Sequence, residues 1–260
     1  MDIASQKDKR GIYLDQVGIT ALKMPIKVKD RSQHRDAQCT IGTFNAFVDL
    51  HHDVRGTHMS RIVQQLYEHK DDISQSGLEQ LTADLISKLG AERSKVEVEF
   101  PYFTEAYSPV TGLENLMTHL AWFEAERTPD YDFRLGISVD IMTVCPCAKE
   151  ECGNGNSHVQ RGKICIYAKP KPNKWVWLED LIEIAQASGS QPVYDRLKRM
   201  DEKEVVVEGF KNAKFVEDVC RDAVLWLKAR DDIDAYRVQV ENFESIHTHN
   251  AWAKAVYKWY

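Results

Sequence analysis

The sequence contains no long apolar run. No stretch of about eighteen apolar residues occurs, so no transmembrane helix is expected. The N-terminal segment also lacks the apolar core of a secretory signal peptide, and we therefore expect a cytoplasmic protein. With 43% hydrophobic and 28% charged residues over 260 positions, the composition is that of a globular protein with a well-buried core.

A basic block is also missing. The net charge is −6, which argues against duplex nucleic acid as a partner. An acidic protein can still hold an anionic small molecule through a few local cations. The segment 55–61 (RGTHMSR) opens a predicted helix, and helix N-termini attract phosphates. This segment is therefore interpreted either as an anion-binding site or as a helix N-cap with solvated arginines.

The common catalytic signatures are absent, among them G-x-G-x-x-G, G-x-S-x-G and H-E-x-x-H. The most unusual feature is instead a group of three thiols and an imidazole within fourteen residues, namely Cys145, Cys147, Cys152 and His158. Thiolate and imidazole suit Zn²⁺ or a similar ion. This region alone leaves four roles open for the group: a catalytic metal site, a structural metal site, a nucleophilic thiol or packing.

The close pair in this group is spaced C-x-C, and the second pair of a typical structural zinc site is missing. Residues one apart in a strand-like conformation point to opposite sides, so Cys145 and Cys147 are not expected to bind one metal together. A disulfide framework is not expected in the cytoplasm. Cys39, Cys165 and Cys220 lie in apolar surroundings and are predicted to be small buried hydrophobes.

Hydrophobic periodicity predicts an α+β fold with antiparallel sheets and paired helices on one face. We predict an N-terminal arm (1–35), a first half (36–128) and a second half (129–260) with a similar order of elements. The predicted strands are 37–50, 96–107, 116–127, 133–144, 162–168 and 234–243, with a further strand at 16–29 broken at Pro25. A first predicted helix begins near residues 57–60, and further helices are predicted at 78–89, 177–187 and 214–230. The segment 193–204 is predicted to be helical or irregular. The segment 251–260 is predicted to be a strand or a helix.

Two further polar clusters follow from the sequence. Glu244, His247 and His249 come directly after the last long strand, where a strand end presents polar groups to a cleft, although a solvated turn is the alternative. The acids at 201–204 and 217–218 lie in helical segments, and such charge runs are usually solvated faces.

Six separated motifs together resemble the type IB family of GTP cyclohydrolase I. They occur in family order over nearly the whole chain, which is more specific than any single motif. The motifs are RGTHMSR (55–61), FPYFTEAYSPVTG (100–112), CPCAKE (145–150), VYDRLKRMDEK (193–203), KFVEDVCRD (214–222) and ENFESIHTHNAWA (241–253).

The resemblance implies a tunnelling fold with two ββααββ-like halves and a homotetramer with active sites at subunit interfaces. It implies that GTP and water are converted to 7,8-dihydroneopterin triphosphate and formate, the entry to folate and pterin biosynthesis. Carried over by position, the metal ligands are Cys145, His158, Glu202 and His247. The ligand set leaves Zn²⁺, Mn²⁺ and Fe²⁺ possible.

The resemblance also implies roles in substrate binding and proton transfer. Glu217 matches the acid that anchors the guanine edge, where a carboxylate accepts two parallel N–H donors. Glu244 is implied to assist proton transfer, alongside Cys145, His158 and His247 as catalytic residues. The candidates for binding the rest of GTP, chiefly its triphosphate, are Arg55, His58, Arg61, Lys149 and Arg161.

This chain departs from the family pattern after Cys147. The route to His158 is about one residue longer and contains the extra Cys152, which leaves open whether Cys152 contacts the metal. Two other classes of function also remain open: a tunnelling-fold nitrile reductase with a cysteine nucleophile and NADPH, and a non-enzymatic metal- or pterin-binding protein. Two metal-binding imidazoles favour the hydrolase over the reductase. Within the family, a cyclic phosphate product is the narrower alternative.

Overall fold

The computed structural model describes residues 4, 6–31, 37–153 and 156–259. Over these residues the chain forms nine strands and six helices, and the predicted α+β class is confirmed. The strands are β1 (Leu14–Lys29), β2 (Ala37–Leu50), β3 (Ser94–Tyr107), β4 (Glu114–Arg127), β5 (Tyr131–Val144), β6 (Val159–Pro170), β7 (Gln191–Pro192), β8 (Ile233–Asn242) and β9 (Ala251–Tyr257). The helices are α1 (Met59–His69), α2 (Gln75–Leu89), α3 (Pro146–Cys152), α4 (Leu178–Ser188), α5 (Arg199–Lys211) and α6 (Val216–Lys228). None of these helices is long and apolar enough to span a membrane.

The order of elements repeats along the chain. The first pass is β1–β2–α1–α2–β3–β4, and the second is β5–β6–α4–α6–β8–β9 with α3, β7 and α5 added. The segment after residue 250, for which strand and helix were both open, is strand β9, and the segment from Arg199 is a full helix. The two ββααββ-like passes that the resemblance implied are therefore present.

Contacts divide the chain into two compact units. The first comprises the chain up to Pro101 together with Trp122–Arg134. The second comprises Tyr102–Ala121 and the chain from Leu135 onwards. The predicted division into an arm (1–35), a first half (36–128) and a second half (129–260) stays a prediction.

In the first unit, β1 and β2 form a long antiparallel ribbon, with Leu14 opposite Leu50 and Lys29 opposite Ala37. The burial of every second residue near the end of β1 is the period-two pattern of a strand with one covered face. The predicted break at Pro25 is wrong. Pro25 is paired across from Ile41 and is tolerated because β1 is an edge strand, where a missing N–H costs no ladder bond.

In the second unit, β5, β6, β8 and β9 lie side by side and pair antiparallel. The short strand β7 pairs with β5 at Ile141 and Met142. Helix α6 packs on β8 and β9 through a buried stripe that includes Val219, Ala223 and Leu227. This arrangement brings the end of β5, the start of β6 and the end of β8 to the same edge of the sheet.

Two local predictions are wrong. The residues after Cys145 form helix α3, where a strand-like conformation was expected for Cys145 and Cys147. Pro146 at the first helical position presets φ, and Ala148–Glu151 are good helix formers. Gly153, with φ +62°, ends this helix. Cys39 is exposed on β2, whereas Cys220 is buried as predicted and Cys165 is half-buried.

Candidate functional site

Two ends of neighbouring strands position Cys145 and His158. Val144 is paired with Val159 at the last rung between β5 and β6. One residue further on, the backbone N–H of Cys145 donates to the carbonyl oxygen of His158 at 3.2 Å. Cys145 and His158 therefore lie side by side just beyond the paired ends of β5 and β6, although thirteen positions separate them in the sequence.

The C-terminal motif reaches the same edge from β8. The backbone N–H of Phe243 donates to the carbonyl of Arg161 at 2.9 Å, which prolongs the pairing of β6 and β8 by one residue. Glu244 then lies with Oε2 3.7 Å from Nδ1 of His158. The rings of His158 and His247 meet edge to face at 6.4 Å between centroids, and His249 stacks on His247 at 5.2 Å.

The Glu244 carboxylate is a buried acceptor at this edge. Its side chain is 11% exposed, and that of His158 is 14% exposed. Within the part of the chain that the structure describes, Oε2 of Glu244 has no hydrogen-bond partner. A buried carboxylate oxygen without a donor is costly, so this atom marks a position where a ligand, an ion or water is favoured.

The three thiols of the α3 region differ in their surroundings. Cys145 is half-buried and caps α3, with its carbonyl accepting from the hydroxyl of Ser157 at 2.7 Å. Cys147 and Cys152 lie within the helix and are exposed. The predicted strand-like conformation is therefore wrong for Cys147, which lies in a helix. The two cysteines still differ, because Cys145 is half-buried and its backbone is bonded to His158, whereas Cys147 is exposed.

Adjacent acids at the start of α5 have opposite environments. Asp201 is fully buried and accepts from the backbone N–H groups of Val110 (2.9 Å), Thr111 (2.8 Å) and Lys198 (3.0 Å), and from the Thr111 hydroxyl (2.6 Å). Burial by itself raises the pKa of Asp201, but these hydrogen bonds outweigh it and hold the pKa well below its usual range. Glu202, the predicted ligand, is exposed in the first turn of α5.

Glu217 occupies the first turn of α6 and is exposed. The linker before this helix is tied to the end of β5, because the backbone N–H of Lys214 donates to the carbonyl of Val144 at 3.1 Å. The side chain of Lys214 pairs with Asp222 at 2.8 Å. The structure thus brings the segment that carries Glu217 next to the strand end that leads into Cys145.

Arg161 lines a cavity of about 140 Å³ in the second unit, together with Asp140 and His119. Its guanidinium donates to Asp140 at 3.2 Å. Burial lowers the pKa of His119 to about 4, against the opposite influence of Asp140 and Asp195. His119 is therefore neutral at pH 7. Lys149 lies on α3, half-buried.

The remaining predicted substrate residues belong to the first unit. His58 is the N-cap residue of α1, and the backbone N–H of Arg61 donates to its carbonyl at 2.9 Å. The Arg55 side chain is exposed and donates to Oε1 of Gln6 at 3.0 Å.

The chain is similar to one protein family over almost its whole length. The profile of the family described as "GCHY-1: Type I GTP cyclohydrolase folE2" matches residues 1–253. GTP cyclohydrolase FolE2 of Fervidobacterium nodosum is 45% identical over 253 residues, covering 97% of this chain and 95% of the relative. The FolE2 proteins of Geotalea uraniireducens and Geobacter sulfurreducens are 40% and 39% identical over 252 residues, covering 97% of this chain and 91% and 96% of those relatives.

The chain belongs to the type I GTP cyclohydrolase FolE2 family. The family resemblance read from the six motifs is therefore confirmed, and the chain is an enzyme of this GTP cyclohydrolase family. Solved structures agree on the fold. A highly active mutant of Bacillus sp. TB-90 urate oxidase aligns with TM-score 0.57 at 9% identity, covering 95% of this chain and 99% of that chain. Arthrobacter globiformis uricase aligns with TM-score 0.54 at 5% identity, covering 94% and 93%. At such low identity these structures show the fold alone, and they confirm the predicted tunnelling fold.

The residues at the strand ends fit a divalent ion in their chemistry. A FolE2 site built from a thiol, imidazoles and carboxylates matches the ligand preferences of borderline metals, and the unpaired buried oxygen of Glu244 adds a local negative charge. Among the described residues, however, no group of three or more His, Cys, Asp and Glu side chains is arranged to hold a metal ion. The ligand set Cys145, His158, Glu202 and His247 stays a prediction.

The sequence analysis of this FolE2 chain missed residues that the structure places at the site. Gln160 bonds to His158, Ser157 bonds to Cys145, and Asp201 anchors the start of α5. A pattern signal existed only for Gln160, which lies two positions beyond His158 and therefore on the same face of a strand.

Proposed function

We propose that the chain is a metal-dependent cyclohydrolase that converts GTP and water to 7,8-dihydroneopterin triphosphate and formate in the cytoplasm, as the first step of folate and pterin biosynthesis. The observation that carries this proposal is the convergence of Cys145, His158 and Glu244 at one edge of the sheet, in a chain that matches the FolE2 family over its length.

The proposed holders of the ion are Cys145, His158, Glu202 and His247. When bound, a divalent ion such as Zn²⁺, Mn²⁺ or Fe²⁺ supplies Lewis-acid activation of water for hydrolysis at C8 of guanine. Support for this set comes from the donor types and from the shared position of Cys145 and His158 at the sheet edge.

The proton transfers are assigned to Glu244 with His247. Oε2 of Glu244 is buried beside His158 and is free to take a proton from the attacking water. The same group returns the proton to the ring nitrogen when its bond to C8 breaks, because a carboxylate that accepts a proton can also donate it. His247 is exposed at the same edge and is the proposed partner for later proton transfers, when the ribose rearranges.

The proposed guanine anchor is Glu217, whose two oxygens match the parallel donors at N1 and N2 of guanine. The proposed cations for the triphosphate are Arg55, Arg61, Lys149 and Arg161, and His58 is a further proposed substrate-binding residue. Four Lys and Arg side chains balance most of the charge of a triphosphate, and bidentate arginines add geometric specificity.

Incubation of the purified protein with GTP and Mn²⁺ tests this function. We expect one formate for each GTP consumed and a product that becomes a fluorescent pterin after oxidation. Protein stripped with a chelator should lose the reaction and regain it when Mn²⁺ is restored. The product mass distinguishes the triphosphate from a cyclic phosphate. Absence of formate from metal-loaded protein would reject the proposal, and consumption of NADPH with a nitrile substrate would favour a reductase instead.

We also propose that the protein is a homotetramer with interfacial active sites. Strand β9 is the outermost strand of the second unit and exposes Trp252, Val256 and Tyr257. Exposed apolar side chains on an edge strand are typical of a surface that pairs with another chain. The family resemblance implies a tetramer, so native mass spectrometry should report four chains.

Trp252→Arg should shift the native mass toward smaller species, because a charge on β9 opposes pairing. Trp226→Arg is the matched control: Trp226 is equally exposed, at 56% against 57% for Trp252, but lies on helix α6. A tetramer that survives Trp252→Arg but not Trp226→Arg would place the interface elsewhere.

A further inference from the structure

The orientation of the His158 ring depends on Gln160, a residue without an assigned role. Nδ1 of His158 lies 2.9 Å from Oε1 of Gln160. The two residues lie on the same side of the chain where β6 begins, because alternate residues of a strand share a face. Gln160 is 7% exposed and paired across from Thr143 of β5, so its side chain is held by the sheet.

The chemistry of this contact determines which nitrogen carries the hydrogen. An amide oxygen can only accept, so with Oε1 of Gln160 facing the ring, Nδ1 of His158 is the donor in this contact. Oε2 of Glu244, 3.7 Å from the same nitrogen, is a second acceptor and favours the same tautomer. In a neutral ring with hydrogen on Nδ1, the lone pair is on Nε2, and this is the nitrogen left to bind an ion.

We propose that Gln160 is a positioning residue that holds His158 as the Nδ1–H tautomer and so presents the Nε2 lone pair to the ion. This inference rests on the proposed metal-dependent function. Hydrogen bonds from outside the ligand set fix the tautomer and ring direction of metal-binding histidines, and their loss typically lowers metal affinity about 10–100-fold. Gln160 is buried and joined to the sheet, whereas Glu244 lies beyond the end of β8, so Gln160 has the more rigid support.

The experiment compares two substitutions at this position with a matched control. Gln160→Leu removes the acceptor, and Gln160→Glu keeps an acceptor oxygen at about the same reach. Gln38→Leu is the control, because Gln38 is also a buried strand glutamine, 3% exposed, that donates to a carboxylate, Asp30. Any general cost of removing a buried amide appears in the control as well.

The first measurement is the tautomer of His158 in metal-free protein, read from ¹⁵N spectra of histidine-labelled samples in alkaline buffer, where imidazole rings are neutral. The signals of His158 are assigned by their loss in His158→Asn. We expect the Nδ1–H tautomer in the wild type, in Gln160→Glu and in Gln38→Leu, and a mixture or the Nε2–H tautomer in Gln160→Leu. The second measurement is Zn²⁺ affinity by competition with a chelator, with an expected loss of about 10–100-fold in Gln160→Leu alone.

An unchanged His158 tautomer in Gln160→Leu would overturn the proposal, as would an equal loss of Zn²⁺ affinity in Gln160→Leu and Gln38→Leu. If Gln160→Leu fails to fold, Gln160→Asn replaces it, because it withdraws the amide by one methylene and should give the same change of tautomer. The tautomer is measured without metal or GTP. If the wild type releases no formate but the His158 tautomer still differs between the wild type and Gln160→Leu, the proposed function is rejected and the role of Gln160 is supported.

Discussion

Replacing Cys145 with alanine should abolish formate release from GTP and weaken binding of the divalent ion by more than about 100-fold, beyond the usual cost of losing a supporting hydrogen bond. Cys145 is the half-buried thiol of the three, and its backbone is bonded to His158 at the edge of the sheet. Removing this side chain takes away a proposed ligand and leaves the rest of the site in place.

Cys147→Ala and Cys152→Ala are the matched controls for this prediction. Both side chains are exposed on α3, and we expect formate release and metal content to stay within about threefold of the wild type, as for surface substitutions away from special features. Metal content by mass spectrometry, Zn²⁺ affinity and the rate of formate release are measured on all three variants, with thermal melting to verify folding. Equal losses in Cys145→Ala and Cys147→Ala would show that the choice of ligand is wrong.

Replacing Asp201 with asparagine should lower the melting temperature at pH 7 by more than about 5 °C. Four hydrogen bonds end on this carboxylate, two on each oxygen, and the amide nitrogen that replaces one oxygen cannot accept the two bonds made there. The bonded groups belong to the loop around Val110 and Thr111 and to Lys198 before α5. The substitution therefore loosens the start of the helix that carries Glu202.

The pH dependence of stability provides a second measurement on the same variant. The pKa of Asp201 is depressed in the folded protein, so its ionised form stabilises the fold above the usual aspartate pKa of about 4. That contribution is lost as the pH falls from about 4 toward the lower folded value. Below about pH 4, the free energy of unfolding of the wild type should therefore fall more steeply with decreasing pH than that of Asp201→Asn, which has no charge to lose at this position.

Glu202→Gln is the matched control, since Glu202 is the exposed neighbour of Asp201. We expect this variant to melt like the wild type but to lose metal affinity. This result would show that Asp201 stabilises the fold and that Glu202 contributes to metal binding. An unchanged melting temperature in Asp201→Asn would contradict the structural role of its hydrogen bonds.

Much of the fold could be predicted because its signals are local. Alternation along residues 37–50 predicted β2 with its observed bounds, and the apolar stripe before Gly90 predicted α2, which ends there with Gly90 at φ +66°. Helix α3 was missed because Cys145-Pro146-Cys147 follows an apolar strand without a break in hydrophobicity, and seven residues are too few for a helical period to be visible.

The candidate site could be predicted in part. His158 and His247 were singled out from the sequence, and the structure places their rings together. The spacing of two residues places Gln160 on the same face as His158, but it did not predict that Gln160 is buried and accepts from His158, because a glutamine at the start of a strand is ordinarily solvated. Its burial depends on the neighbouring strands, which are distant in sequence.

The family follows from the amino-acid sequence, because six motifs in one order constrain the whole chain. Most strands and helices follow from it as well, because periodicity is a local property. Which of the two adjacent acids, Asp201 or Glu202, is buried depends on contacts between distant segments of the folded chain. Three of the four hydrogen bonds to Asp201 come from Val110 and Thr111, about ninety residues earlier in the chain, and local sequence patterns do not reveal such contacts. For the same reason, only the fold shows that Cys145, rather than Cys147, shares an edge of the sheet with His158 and Glu244.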